Sequence, residues 1–234
     1  MKLPKFGAAA LLAGSLWIAY APQAKADAEL RLTSGGQSIT IVDGGGTDAC
    51  LLADCVSFIG SIGGWVISAT TGAGGGVLGS GLQDLNSFDA SGFLGAASLT
   101  IEFTRTVYMN GHAGGFTTDI GGTLSNTGLD YSAWADSSNG GTNTFSYATQ
   151  IGSNLDFTTT PFANFTAGAV GVGTPYSLTQ RVVLSACGYG GCFASFDATI
   201  HPVPEPAGVV LLGSILLLVS GFLRRKLAPK ESVE

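Results

Sequence analysis

Four cysteines in two pairs of identical spacing, Cys50-x4-Cys55 and Cys187-x4-Cys192, are the residues of this chain best placed for chemistry. Two outcomes are open to such pairs: four thiolates can hold a tetrahedral zinc ion, or the thiols of each pair can oxidise to a disulfide. Neither pair has a histidine close in sequence to complete a metal set, and Gly188, Gly190 and Gly191 let the second loop turn tightly. Four cysteines allow three connectivities, of which the local bridges Cys50–Cys55 and Cys187–Cys192 are favoured. Each would constrain the unfolded chain by roughly 2 kcal/mol in the entropy model. Such a framework belongs in an oxidising compartment.

The other candidates are weaker. Asp43-Gly-Gly-Gly-Thr-Asp48 offers oxygen ligands to calcium, but it lacks the ligand count and closing glutamate of a calcium loop and reads as a solvated turn. Gly74-x-Gly76-x-x-Gly79 carries the glycines of a dinucleotide fingerprint without leading into a helix, so it reads as a loop. Asn164-Phe-Thr166 is a glycosylation sequon in form. The two histidines stand apart, His112 in a Gly-rich turn and His201 just before the C-terminal apolar segment. No G-x-S-x-G elbow, H-E-x-x-H or compact Ser/His/Asp grouping is present. A glycosidase needs only two carboxylates, and residues 27–202 hold 13; a solubilising acidic surface is the simpler reading. The expectation is a non-enzymatic protein with no catalytic residue, no metal site and no cofactor. Trp65, Tyr131, Trp134 and Tyr147 could stack on sugar rings, although buried core aromatics are the commoner use of such residues.

Charge narrows the partners. Residues 27–202 set three arginines, Arg31, Arg105 and Arg181, and no lysine against the 13 acids, a net of −10 compared with −6 for the whole chain. A surface of that sign repels phosphate backbones, which excludes nucleic acid as a partner.

These residues must be held by strands. Leu99, Ile101, Phe103 and Val107 alternate with Thr100, Glu102, Thr104 and Thr106, the period of two of a half-buried strand. Leu178, Val182 and Leu184 repeat the pattern, as do Ala194, Phe196, Ala198 and Ile200. Leu30–Thr33 and Ser38–Val42 flank Ser34-Gly-Gly-Gln37 as a hairpin, and 65–70 and 142–151 are further strand candidates. Residues 72–95 are less regular and read as a long loop or a short helix. Many short strands with Gly-rich turns predict an all-β ectodomain over 27–202, an antiparallel β-sandwich of jelly-roll type.

Both ends of the chain point to export. Lys2 and Lys5, the apolar stretch from Phe6 to Tyr20, and Ala24-Lys25-Ala26 form the charged region, apolar region and cleavage site of a signal peptide over 1–26. At the other end, Val203-Pro204-Glu205-Pro206 precedes an unbroken apolar run from Ala207 to Leu223, followed by Arg224, Arg225 and Lys226. The run has 17 residues, about 25 Å as a helix, at the short end of what spans a hydrocarbon core. It predicts a single C-terminal transmembrane helix over 207–223. The basic triplet would stay on the cytoplasmic side and residues 227–234 would form a cytoplasmic tail. Two prolines favour an extended peptide outside the bilayer, where Glu205 keeps it in water.

This order of elements over 203–226 resembles the PEP-CTERM sorting signal, the tripartite C-terminal tag of Gram-negative bacterial proteins handled by exosortases. The resemblance implies that Pro204, Glu205 and Pro206 are the recognition motif and that a membrane-embedded exosortase is the processing partner. One departure is the extension Leu227–Glu234 beyond the basic cluster, where many such tags stop. The resemblance further implies a cell-surface or extracellular-matrix protein associated with exopolysaccharide or biofilm, a single-pass membrane precursor before processing. The alternative is a secreted carbohydrate-binding module or glycan hydrolase built on the same sandwich.

Overall fold

Alternating apolar residues can bury one face of a strand only if a second sheet covers it, and the computed structural model shows two sheets doing so. It describes residues 28–72, 82–108, 114–138, 145–203 and 211–220. The strands, numbered in chain order, form two sheets. One runs in the order β10 (Leu155–Phe157), β8 (Leu129–Asp136), β12 (Tyr176–Leu184), β6 (Leu99–Tyr108), β1 (Ala28–Ser34), β2 (Gln37–Val42), with β9 (Thr149–Gln150) pairing to β8. The other runs β11 (Phe162–Gly168), β7 (Phe116–Ser125), β13 (Cys192–Pro202), β5 (Gln83–Gly92), β4 (Trp65–Gly72), β3 (Cys55–Ile62). These pairings are antiparallel.

Eight of these strands alternate between the sheets as a jelly roll does, β6-β12-β8-β10 facing β5-β13-β7-β11. Two N-terminal hairpins widen it, β1–β2 beside β6 and β3–β4 beside β5. The first turns at Gly35 and Gly36, the second at Gly63 and Gly64, all with positive φ. A two-residue turn with φ positive at both positions matches the right-handed twist of the strands, and glycine adopts it without steric cost. The antiparallel sandwich and the hairpin across 34–37 are as the sequence predicts.

The core lies between the sheets. Leu30, Leu32, Leu99, Ile101, Phe103, Leu178, Val182 and Leu184 face Trp65, Ile67, Phe88, Ala194, Phe196 and Ile200, and all are buried. Phe88 and Phe196 stack with ring centres 5.0 Å apart. At one end Tyr108 stacks on Tyr176 at 5.0 Å, and Tyr176 reaches Phe116 at 5.9 Å across to the other sheet. That end gathers both chain directions: Ala28 pairs with Arg105 three residues before Tyr108, and Pro202 pairs with Phe116.

Two expectations are corrected. Within 72–95 the structure places β5, a ten-residue strand. Its inward residues are Gln83, Leu85, Phe88, Ala90 and Gly92, and a bulge breaks their phase where Ser87 takes φ 54°. One extra residue turns a period-two pattern into an irregular one, so the strand does not show as an alternation. Within 142–151 only Thr149–Gln150 is a strand among the described residues, because Phe145 and Tyr147 lie against the outer face of a sheet instead of pairing with its edge.

Residues 211–220 are helical and exposed, inside the predicted span 207–223. No helix among the described residues is long and apolar enough to cross a membrane. Ala24, Ala26, Pro204, Glu205, Pro206, Arg224, Arg225 and Lys226 lie outside the described residues, as do His112 and the glycines of 74–79.

Candidate functional site

The cysteines form the two local bridges, Cys50–Cys55 with Cα atoms 5.9 Å apart and Cys187–Cys192 at 5.3 Å. They sit at opposite ends of the sandwich. Cys187–Cys192 staples the loop before β13 at the end of the hairpin turns, where Cys187 N–H donates to Ala96 O at 3.0 Å. Cys50–Cys55 closes the loop from β2 to β3 at the end of the tyrosine stack. There Asp48 Oδ1 accepts from the amides of Cys50 and Ser57, each at 2.9 Å, and its Oδ2 from Gly44 at 3.0 Å. Asp43 accepts from the Asp54 amide at 2.8 Å. The two carboxylates weighed as calcium ligands thus hold the loop's own backbone, and no cluster of three metal-ligating side chains occurs among the described residues.

Asp54 completes this end. Its carboxylate meets the Arg105 guanidinium at 2.9 Å, with the arginine side chain only 4% exposed. Arg105 also lies 4.8 Å from the centre of the Tyr108 ring. Burial pushes the Tyr108 hydroxyl up to about 12, against the opposing pull of Arg105.

The densest polar group is on the outer face of the seven-stranded sheet. Adjacent strands put Arg31, Glu102, Arg181 and Ser132 in one row. Arg31 Nε donates to Glu102 at 2.6 Å, and Tyr147 donates its hydroxyl to the other oxygen of Glu102. Arg31 also donates to Tyr147 Oη at 3.1 Å and lies 4.0 Å from the centre of the Phe145 ring. The hydrogen bond to Glu102 raises the Arg31 pKa above its ordinary value, while burial and Glu102 push Tyr147 up to about 12. Trp134 meets Tyr147 edge-on at 4.9 Å. Asp136 fastens the start of this crossing by accepting from Ser138 N and Oγ, both at 2.7 Å, and from Ser146 Oγ. Burial pushes the Asp136 pKa up, but these hydrogen bonds outweigh it and hold it below the usual carboxylate value. On the same face Asp130 pairs across strands with Asp156; burial and the neighbouring carboxylate raise its pKa.

The outer face of the other sheet is acidic. Thr199 Oγ1 donates to Asp119 at 2.7 Å, and His201 Nε2 lies 3.0 Å from Thr199 Oγ1 and 3.4 Å from Asp119. Asp84 sits opposite Thr199. Its carboxyl is pushed up to about 6, first by burial and then by Asp197 and Asp119, with His201 opposing. Asn164 of the sequon lies exposed on β11, its Oδ1 accepting from the Phe165 amide at 2.9 Å.

The four candidate sugar-stacking aromatics therefore divide. Trp65 is buried and donates its indole N–H to Ala97 O at 2.7 Å, and Tyr131 is buried and donates to Gln180 at 3.0 Å. Tyr131 and Trp134 are three residues apart on one strand and so point to opposite faces. Only Trp134 and Tyr147 share an outer face. Strand parity carried this information: Tyr131 is in phase with Leu129, Ala133 and Ala135, and Trp134 is out of phase. The convergence of Arg31, Glu102 and Tyr147 had no local signal, since it joins residues far apart in the chain.

No protein-family model and no curated protein matches this chain. Among solved structures, TmCBM61 in complex with β-1,4-galactotriose is similar at 12% identity over 59% of this chain and 88% of that one, with a TM-score of 0.31. The enzymatically active domain of tailspike protein 4 from bacteriophage CBA120 is similar at 19% identity over 58% of this chain and 19% of that one, with a TM-score of 0.28. At TM-scores this low the likeness bears on neither mechanism nor ligand.

Proposed function

We propose that this protein is an exported, non-enzymatic component of the cell surface or extracellular matrix, delivered by a PEP-CTERM-like sorting signal, processed by an exosortase and associated with exopolysaccharide. The observation that carries this reading is the direct handover from fold to tag. The disulfide-bonded sandwich completes its closing strand at Pro202, and Val203-Pro204-Glu205-Pro206, the apolar run and the basic triplet follow without a linker. Two bridges with no free cysteine among the described residues suit an oxidising compartment. The polar clusters also favour a scaffold role: their carboxylates are engaged with backbone amides, arginines and hydroxyls that hold loops to sheets.

Deleting 203–234 in the native host tests this. Loss of membrane retention, with the ectodomain released at a mass lacking residues 1–26, is the expected result. Unchanged fractionation and mass would remove the reading.

A second reading, a carbohydrate-binding surface, is favoured by one observation: Trp134 and Tyr147 lie together beside Arg31, Glu102 and Arg181 on one outer face. If that face binds glycan, Trp134→Ala should abolish retention on a polysaccharide column while leaving the melting transition nearly unchanged.

A further inference from the structure

The end of the sandwich from which the C-terminal segment leaves also carries the most exposed aliphatic side chain among the described residues, with a second leucine beside it. Leu51 is 99% exposed and Leu52 73%, side by side within the loop closed by Cys50–Cys55. Adjacent, largely solvated leucines at the tip of a covalently closed loop are costly in water, since most of their apolar surface is removed from it neither by the core nor by a neighbour. The acids around them do not keep the tip in water as free charges. Asp48 and Asp43 are turned inward onto backbone amides, and Asp54 is paired with Arg105. The loop is held down firmly, and what it presents outward is a Leu-Leu pair.

Its position identifies what would cover it. The loop reaches across the end of the sandwich through Asp54 to Arg105, the residue paired with Ala28. Pro202 leaves from the same end, three strands away from β3 in its sheet, or about 14 Å at the usual strand spacing. Only Val203 to Pro206 separates Pro202 from the apolar run. Four extended residues reach about 14 Å at most. If 207–223 crosses a bilayer, this end of the sandwich is therefore held within about 14 Å of the lipid headgroups.

We infer that Leu51 and Leu52 insert into the membrane interface and stand the sandwich end-on on the bilayer as a second, reversible contact beside the C-terminal span. The inference rests on the reading that 207–223 spans the membrane. Aliphatic side chains buried at the boundary between headgroups and acyl chains give such a contact its strength. A rigid tip gains it without the entropy of ordering a loop on binding. The opposite end, with Tyr189 98% exposed beside Cys187–Cys192, would then face away from the membrane.

The test uses residues 27–234, the chain left after signal cleavage, in vesicles of phosphatidylethanolamine and phosphatidylglycerol, with Leu51→Trp, Leu52→Trp and, as the far-end control, Tyr189→Trp. Quenching by bromine-labelled acyl chains is read as the difference from the unsubstituted chain. The expected result is a blue-shifted emission for Leu51→Trp and Leu52→Trp, with a quenched fraction several-fold greater than for Tyr189→Trp. Flotation of the vesicles reports the span separately: it should be lost on deleting 207–223. Flotation that depends on 207–223 without quenching of the Leu51→Trp and Leu52→Trp variants overturns the tip contact and leaves the span standing. Equal quenching at position 189 overturns it as well, because the sandwich then lies flat. Flotation that is absent, or indifferent to that deletion, removes the span and the tip contact together.

Discussion

Arg105 shows how a single charge is kept inside this fold. It lies on the core face of β6, almost without solvent, and Asp54 is its counter-charge at 2.9 Å. Removing one member of a buried pair leaves the other without its neutralising partner. Asn tolerates the left-handed backbone of Asp54, whose φ is 62°, so Asp54→Asn isolates the charge. We expect it to cost about 3 kcal/mol in denaturant unfolding, and a companion Arg105→Met change to recover most of that loss. Asp84 is the opposite case, a carboxyl whose pKa is raised to about 6 by burial and by Asp197 and Asp119. The proton binds the folded chain more tightly than the unfolded one. The stability this brings is full below the unfolded value near 4 and is lost as pH rises through about 6. Asp84→Asn should therefore flatten the fall in stability between those values and leave the protein about 1 kcal/mol more stable than its parent at neutral pH, after solvent screening. A pH series of melting curves that kept the same slope would contradict this.

At the scale of elements, β5 is the strand on which local pattern and final structure diverge. Its bulge at Ser87 is held by Asp197, which accepts the Ser87 amide at 2.6 Å from the neighbouring strand. At its end Gly92 pairs with both Trp65 and Cys192. A Cβ there would overlap both sulfurs of the second bridge, coming within 2.7 Å of Cys192 Sγ and 3.2 Å of the Trp65 ring. Neither neighbour can retreat, one being covalently closed and the other buried. Gly92→Ala should cost about 1–3 kcal/mol through overpacking, and much less in chains whose Cys187 and Cys192 are both serine. Equal losses in the two backgrounds would show that the bridge is not what restricts this position. The hairpin turn at Gly35-Gly36 and the strand β6 were legible because their signals are local: two adjacent glycines, or an apolar-polar alternation broken only at Arg105. The β5 bulge was not, because its cause is a carboxylate 110 residues away.

At the scale of the molecule, two staples close the two ends of one sandwich. The bridges constrain the unfolded chain, and the cysteines of the second, Cys187 and Cys192, are also buried in the core between the sheets. Reduction should cost about 2 kcal/mol per bridge, read as a lowered denaturant midpoint with an unchanged far-ultraviolet spectrum at low denaturant. Collapse of the spectrum on reduction would mean that the core cannot stand without them. The clustering of Ala28, Pro202 and the Cys50–Cys55 loop at one end makes the molecule polar in its build, with one end carrying the chain's connections and the other free.

The sequence by itself determined the class of fold and the hairpin at Gly35-Gly36 and favoured the local pairing of the cysteines, because each depends on residues a few positions apart; the structure fixed that pairing. It also contained the division of the aromatics, since the phase of β8 already turned Tyr131 inward and Trp134 outward. Only the tertiary structure decided which strand lies beside which, that Asp43 and Asp48 serve their own loop, and that Arg31, Glu102 and Tyr147 meet on one face. Those arrangements depend on sheet register and on contacts between residues up to 116 positions apart. No periodicity along a chain records which distant strand will supply a partner.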